Sequence, residues 1–150
     1  MIPNIVPYQT PQYCMGVVFM SINKQEAGEG LKSGMAIAKS NPIAKVIIVV
    51  DDDINILDPI AMLFAMGSRW QPSPAAKILD EAFGLMTDPS QVEYQKTSKI
   101  VIDATRQIPG EGGQDVFPKT NRALLEEGSP DVWTIVDSKF GEQLKSWKEV

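Results

Sequence analysis

Apolar residues occupy every position from Val46 to Val50, and the run ends abruptly at Asp51-Asp52-Asp53-Ile54-Asn55. An unbroken stretch of β-branched residues suits a strand covered on both faces, the usual situation in a parallel sheet flanked by helices. The same pattern predicts strands over 15–22, 45–50, 76–80 and 99–102, the last closed by Asp103-Ala104-Thr105. Between them it predicts a helix over 29–38, interrupted by Gly30 and Gly34, and a second over 60–68. Asp58-Pro59 supplies the second helix with an N-cap and a first-turn proline. That helix is apolar almost all round, so it is expected to be largely buried. Residues 82–97 read as a flexible connection containing Thr87-Asp88-Pro89-Ser90.

The two ends of the chain follow other rules. Residues 1–13 carry three prolines and no period, which predicts an extended arm lying on another surface. Pro109-Gly110-Glu111-Gly112-Gly113 reads as a turn, followed by helices over 119–127 and 130–140 and a weaker helical stretch over 138–150 in which Trp147 is a docking residue. Strands alternating with helices place the chain in the α/β class, with a small, mainly parallel sheet flanked by helices and a helical C-terminal tail. The division is an arm at 1–13, an α/β domain at 14–108, and a docking tail of the same domain at 109–150.

Composition narrows the chemistry. A chain of 150 residues fits one domain able to bury roughly two-thirds of its unfolded surface. The single cysteine, Cys14, excludes an intramolecular disulfide and fits a reducing cytoplasm; beside Tyr13, Met15 and Val17 it reads as a structural thiol. Histidine is absent, which removes imidazole nucleophile-base pairs, zinc ligation through histidine and imidazole proton shuttling within this chain. No apolar run approaches the ~20 residues of a membrane helix, and no basic leader precedes an apolar core, so a soluble, unprocessed cytoplasmic protein is expected. A net charge of -5 argues against a nucleic-acid partner. Trp70, Trp133 and Trp147 lack interleaved basic residues and read as packing residues instead of a base-stacking platform.

Ligands of open parallel sheets gather beyond the carboxyl ends of the strands, which draws attention to Asp51-Asp52-Asp53 and Asp103. Clustered carboxylates raise one another's pKa unless a cation or hydrogen-bond donors intervene. One way to satisfy them is Mg²⁺, as in response-regulator receivers, where Asp103 would accept phosphate. The other is structural: Asp53 or Asn55 caps nearby amides, and Arg69 neutralises Asp52 and Asp53. A receiver begins with its acidic strand, whereas here 45 residues precede Val46, and no lysine-proline pair follows Asp103.

Four blocks in order carry a different resemblance: Val50-Asp51-Asp52-Asp53-Ile54-Asn55, Met62-Leu63-Phe64-Ala65-Met66-Gly67-Ser68-Arg69, Thr87-Asp88-Pro89-Ser90 and Lys99-Ile100-Val101-Ile102-Asp103-Ala104-Thr105. Over about residues 14–147 they resemble the C-terminal domain of the UbiD family of reversible decarboxylases, with its VDDDID strand, VLWAxxTR helix, LDPS segment and KxGIDAT strand. Asn55 stands in place of the usual acid, and Phe64 in place of the common tryptophan. The resemblance implies carboxylation or decarboxylation of aromatic or unsaturated acids with prenylated FMN. In the family the cofactor domain, with the arginine and two glutamates that transfer protons, lies upstream of this region. That leaves either a split enzyme, with that domain and room for Mn or Mg and K in a larger partner subunit, or a stray domain with a regulatory duty; the arm at 1–13 favours the split. The expectation is a hetero-oligomer in which this chain, inactive alone, contributes no catalytic residue and no metal ligand. By the same resemblance Lys39 reaches the cofactor phosphate, and Leu85, Met86 and Thr87 wall the substrate pocket. A non-catalytic assembly subunit is the remaining alternative.

Overall fold

A computed structural model of the chain describes residues 4–7, 16–91, 93–116 and 127–145. The chain divides into two compact units, 1–115 and 116–150. Cys14, Trp147 and all but the last residue of the expected 119–127 helix lie outside the described residues.

In the first unit, β1 (Asn4–Pro7), β2 (Val17–Ile22), α1 (Glu29–Ser40), β3 (Val46–Asp51), α2 (Pro59–Ser68), β4 (Ala76–Phe83) and β5 (Lys96–Asp103) follow in order. The strands form one sheet in the order β1-β2-β3-β5-β4. Its centre is parallel: Val17 pairs with Val46, and Val46 in turn with Ile100. Both edges are antiparallel. The proline-rich arm thus contributes a strand to the sheet of its own chain, Asn4 opposite Ser21 and Pro7 opposite Val18, which the absence of a period in its sequence did not reveal.

Consecutive side chains of β3 face opposite layers, and both layers are apolar. Ile47 and Val49 join Val18, Met20, Val101 and Ala38 on the α1 side, while Ile48 and Val50 join Ile54, Ile56, Met62 and Ala65 on the α2 side. Burial on two faces is why the sequence runs apolar without alternation. On α1, Gly30 and Gly34 are not interruptions but the contact stripe. A Cβ at Gly34 would overlap the Val101 side chain, and one at Gly30 the Asp103 carboxylate. Glycine there trades helix propensity for a close approach of helix to sheet.

The second helix corrects an expectation. Asp58 caps it as predicted, its carboxylate accepting from the Ile60 amide at 2.9 Å. Yet only Met62 and Ala65 are fully buried; Ile60, Leu63 and Phe64 are exposed, Ile60 by 72%. A single helix laid on a sheet buries one stripe, so a helix that is apolar all round leaves its other stripe in solvent unless something else covers it.

The second unit contains α3 (Val132–Lys145), which begins within two residues of the expected start and continues past Phe140. Trp133, Ile135 and Phe140 are exposed on it. No helix among the described residues is long and apolar enough to cross a membrane.

Candidate functional site

The parallel centre of the sheet has two edges, and their chemistry differs. At the carboxyl edge Asp51 ends β3 and is buried to 3% exposure. The turn after it is closed by the Ile54 amide donating to Asp51 O at 3.1 Å, which swings Asp53 back toward the end of α2. Arg69 follows that helix directly and is itself buried. Its Nη1 donates to Asp51 Oδ2 and Asp53 Oδ1, both at 2.7 Å, and Nη2 completes a bidentate pair with Asp53 Oδ2 at 2.8 Å. Asp51 Oδ2 also accepts the Arg106 amide at 2.8 Å, with Arg106 Nε at 3.4 Å. The guanidinium hydrogen bonds hold the Asp53 carboxyl below its usual range. Burial works to lower the Arg69 pKa, but the bonds and charges of Asp53 and Asp51 outweigh it and raise it. Asp52 points to solvent, so the sequence-predicted cluster of Asp52, Asp53 and Arg69 is in structure Asp51, Asp53 and Arg69. Asn55, not Asp53, does the capping, accepting from the Leu57 amide at 3.1 Å.

Asp103 is closed in the same way. It is 2% exposed, and its Oδ1 accepts the Thr105 amide at 3.1 Å and the Thr105 hydroxyl at 2.5 Å, with Gly30 of α1 directly above. Lys24 seals the surroundings: its Nζ donates to Thr105 Oγ1 at 2.9 Å and meets Glu111 Oε2 at 2.5 Å. Burial would raise the Glu111 carboxyl, but Lys24 and the amides of Gly28 and Ile108 pull it below its usual value. No group of three or more carboxylates, cysteines or histidines able to hold a metal ion exists among the described residues. Buried at 2% exposure under α1 and bonded to Thr105, the Asp103 carboxylate is not presented to a phosphodonor, which counts against the receiver alternative.

A cleft opens at the opposite edge, where β3 and β5 begin. It has a volume of about 180 Å³ and separates the α1–β3 turn, with Pro42 and Ile43, from the β4–β5 loop, with Leu85, Thr87 and Pro89. Of the three predicted wall residues, Leu85 and Thr87 line it. Met86 turns outward, 60% exposed, with its sulfur 2.7 Å from the Tyr94 hydroxyl. Because β4 runs antiparallel to β5, the loop between them must return to the amino edge, a pairing the sequence pattern did not reveal. Lys39 occupies the last turn of α1, exposed, and its ammonium makes no hydrogen bond or ion pair with another described residue.

Several bonds place this edge. The Lys99 ammonium is buried and donates to Ala38 O at 2.9 Å and Asn41 O at 2.7 Å, closing the helix end that carries Lys39. Burial lowers the pKa of Lys99. Asn41 Oδ1 accepts the Ile43 amide at 2.9 Å, and Gly16 O accepts the amides of Lys45 and Val46 at 2.7 and 2.9 Å. Gly16 has φ 105°, and a Cβ there would press on Ile43 O, so the turn seats on a glycine that nothing larger replaces without strain. Sequence reasoning missed Ile43 and Lys45; the available signal was a lysine immediately before a fully buried strand.

Comparison with known proteins settles the family. Residues 1–104 match the 3-octaprenyl-4-hydroxybenzoate carboxy-lyase C-terminal domain, UbiD_C. The chain belongs to the UbiD family. It is 30% identical over 148 residues to an uncharacterised protein of Aeropyrum pernix, covering 95% of this chain and 29% of that one. It is 39% identical over 93 residues to the anhydromevalonate phosphate decarboxylase of Archaeoglobus fulgidus, covering 62% of this chain and 21% of that one. Among solved structures it resembles the UbiD-class enzyme HmfF of Pelotomaculum thermopropionicum, solved with FMN, at TM-score 0.60 and 30% identity over 73% of this chain and 25% of that one. The chain therefore spans less than a third of the length of each of these relatives.

Proposed function

We propose that this UbiD-family chain is the small subunit of a split carboxylase/decarboxylase acting on an aromatic or unsaturated carboxylic acid, and that it closes the active site of a larger subunit holding prenylated FMN. The observation that carries the reading is the cleft between Ile43 and the Leu85–Thr87 wall, which opens at the edge of the sheet where α1 carries Lys39 in its last turn. Its volume falls below the ~300–1,000 Å³ of pockets that enclose drug-sized ligands, so it suits part of a small acid and not a flavin ring system. For the cofactor this chain offers Lys39, whose free ammonium suits a phosphate as a point charge. When bound, prenylated FMN supplies the carbon-carbon bond chemistry; the residues here orient the acid and exclude water. The uncovered apolar stripe of α2, Ile60, Leu63 and Phe64, with Leu57 just before the helix, supports docking on another polypeptide, since a surface of that kind is costly to leave in water. In this reading Asp51, Asp53 and Arg69 are structural.

Purification of the untagged protein from its host tests the proposal. A flavin-coloured companion that copurifies, and carboxylase or decarboxylase activity that requires both proteins, is the expected result. A colourless monomer that leaves every offered flavoprotein unbound overturns it. Replacing Leu85 and Thr87 by bulkier residues then separates a pocket wall from a scaffold, because only a wall shifts the preference among acids.

A further inference from the structure

One ion pair spans the cleft floor. Lys45, the residue before β3, extends its Nζ to Asp88 Oδ2 at 2.8 Å and to the Ser90 hydroxyl. Asp88 divides its oxygens between two tasks. Oδ1 accepts the Ser90 amide at 3.0 Å and hydroxyl at 2.7 Å, which folds the loop on itself. Oδ2 takes Lys45 and, at 3.2 Å, Thr97 Oγ1 of β5, which ties the folded loop to the sheet. The Lys45 hydrogen bond, with those from Ser90, holds the Asp88 carboxyl well below the usual carboxylate range. A second brace, Gln91, stays within the loop region, donating to Leu85 O at 2.5 Å and accepting the Gln95 amide at 3.0 Å. Lys45 is thus the side chain whose charge crosses from the α1–β3 turn to the opposite wall.

Its exposure argues for a local task. The Lys45 side chain is 35% exposed, and a screened pair of that kind adds little to global stability. A bond between two walls of a cleft nevertheless removes one freedom of the loop, and loops of this kind open locally without global unfolding. We propose that Lys45 is a positioning residue for substrate selection: by anchoring Asp88 it sets the gap between Ile43 and the Leu85–Thr87 wall, and so the girth of the acid the cleft admits. The inference rests on reading the cleft as part of the substrate pocket.

The test uses the full chain, with benzoate and 2-naphthoate as probes and backbone amide signals as the readout. In the unaltered protein benzoate should shift the Leu85 and Thr87 amides at lower concentration than 2-naphthoate does. Lys45→Met keeps the apolar stem and removes the charge. It should speed amide exchange at Ser90 and Gln91 by about tenfold while β3 and β5 stay protected. It should also reduce the benzoate preference by about tenfold, the scale on which pocket shape discriminates. Lys45→Arg should restore both. Unchanged exchange in Lys45→Met overturns the latch. Faster exchange with an unchanged preference overturns the selection role. If neither acid shifts Leu85 or Thr87 in the unaltered protein, the pocket reading falls and takes the proposal with it, an outcome visible before any variant is made.

Discussion

The two edges of the parallel strands use their charged groups differently. At the carboxyl edge Asp51, Asp53, Asp103, Lys24, Arg69 and Glu111 are joined to one another or to nearby hydroxyl and amide groups, and most are out of water. At the amino edge Lys99 is buried on carbonyl oxygens, but the Lys39 side chain is exposed and the Lys45–Asp88 pair lies on the floor of an opening. A buried charge is tolerated only with partners, and once partnered it is unavailable to a ligand. A carboxylate-rich strand end therefore reads as chemistry in the sequence and functions as a clasp in the fold. The open edge is the one to which the proposed function assigns the substrate acid.

Breaking the clasp should have the largest effect. Arg69→Met leaves Asp51 buried beside Arg106 alone, and removal of one member of a buried pair costs about 3–5 kcal/mol. Urea unfolding measures it, and a loss of well under 1 kcal/mol would mean that the carboxyl edge is not locked. Gly30→Ala drives a methyl group into the Asp103 carboxylate and should cost about 1–3 kcal/mol. Gly67→Ala serves as its control: nothing lies within 4 Å of a Cβ there, so the helical gain of roughly 0.5–1 kcal/mol should emerge with the opposite sign.

Acid should act on the same clasp. Asp53 and Glu111 have folded pKa values below their ordinary 3.8 and 4.5, so the unfolded chain takes up protons more readily than the folded one. The stability they contribute is present in full above those ordinary values and is lost as pH falls through the lower folded ones. Melting temperature should be flat above about pH 5 and decline below pH 4.5, and Asp53→Asn should shallow that decline. At the amino edge the smallest effect is expected. Lys45→Met should leave the unfolding midpoint unchanged within scatter, since its pair is partly exposed. A large drop there would erase the contrast between a locked edge and an adjustable one.

Much of this was legible in order along the chain. The unbroken apolar run at 46–50 dictated a doubly covered strand, Asp58-Pro59 marked the start of α2 to within a residue, and four motif blocks placed the chain in its family. Local pattern suffices for these because each depends on neighbours a few positions away. It could not say that Asn4–Pro7 pairs back onto β2, that Gly30 and Gly34 make room for Asp103 and Val101, or that β4 runs antiparallel. Nor could it tell that Asp51 and not Asp52 would share Arg69 with Asp53. Those facts arise from groups far apart in sequence meeting in space. Asp88 meets Lys45 across 43 residues, and Thr105 meets Lys24 across 81. Composition and spacing established which charges the chain carries; only the packed sheet decided which of them are neutralised inside and which remain at the rim, because desolvation and pairing are properties of neighbours in three dimensions.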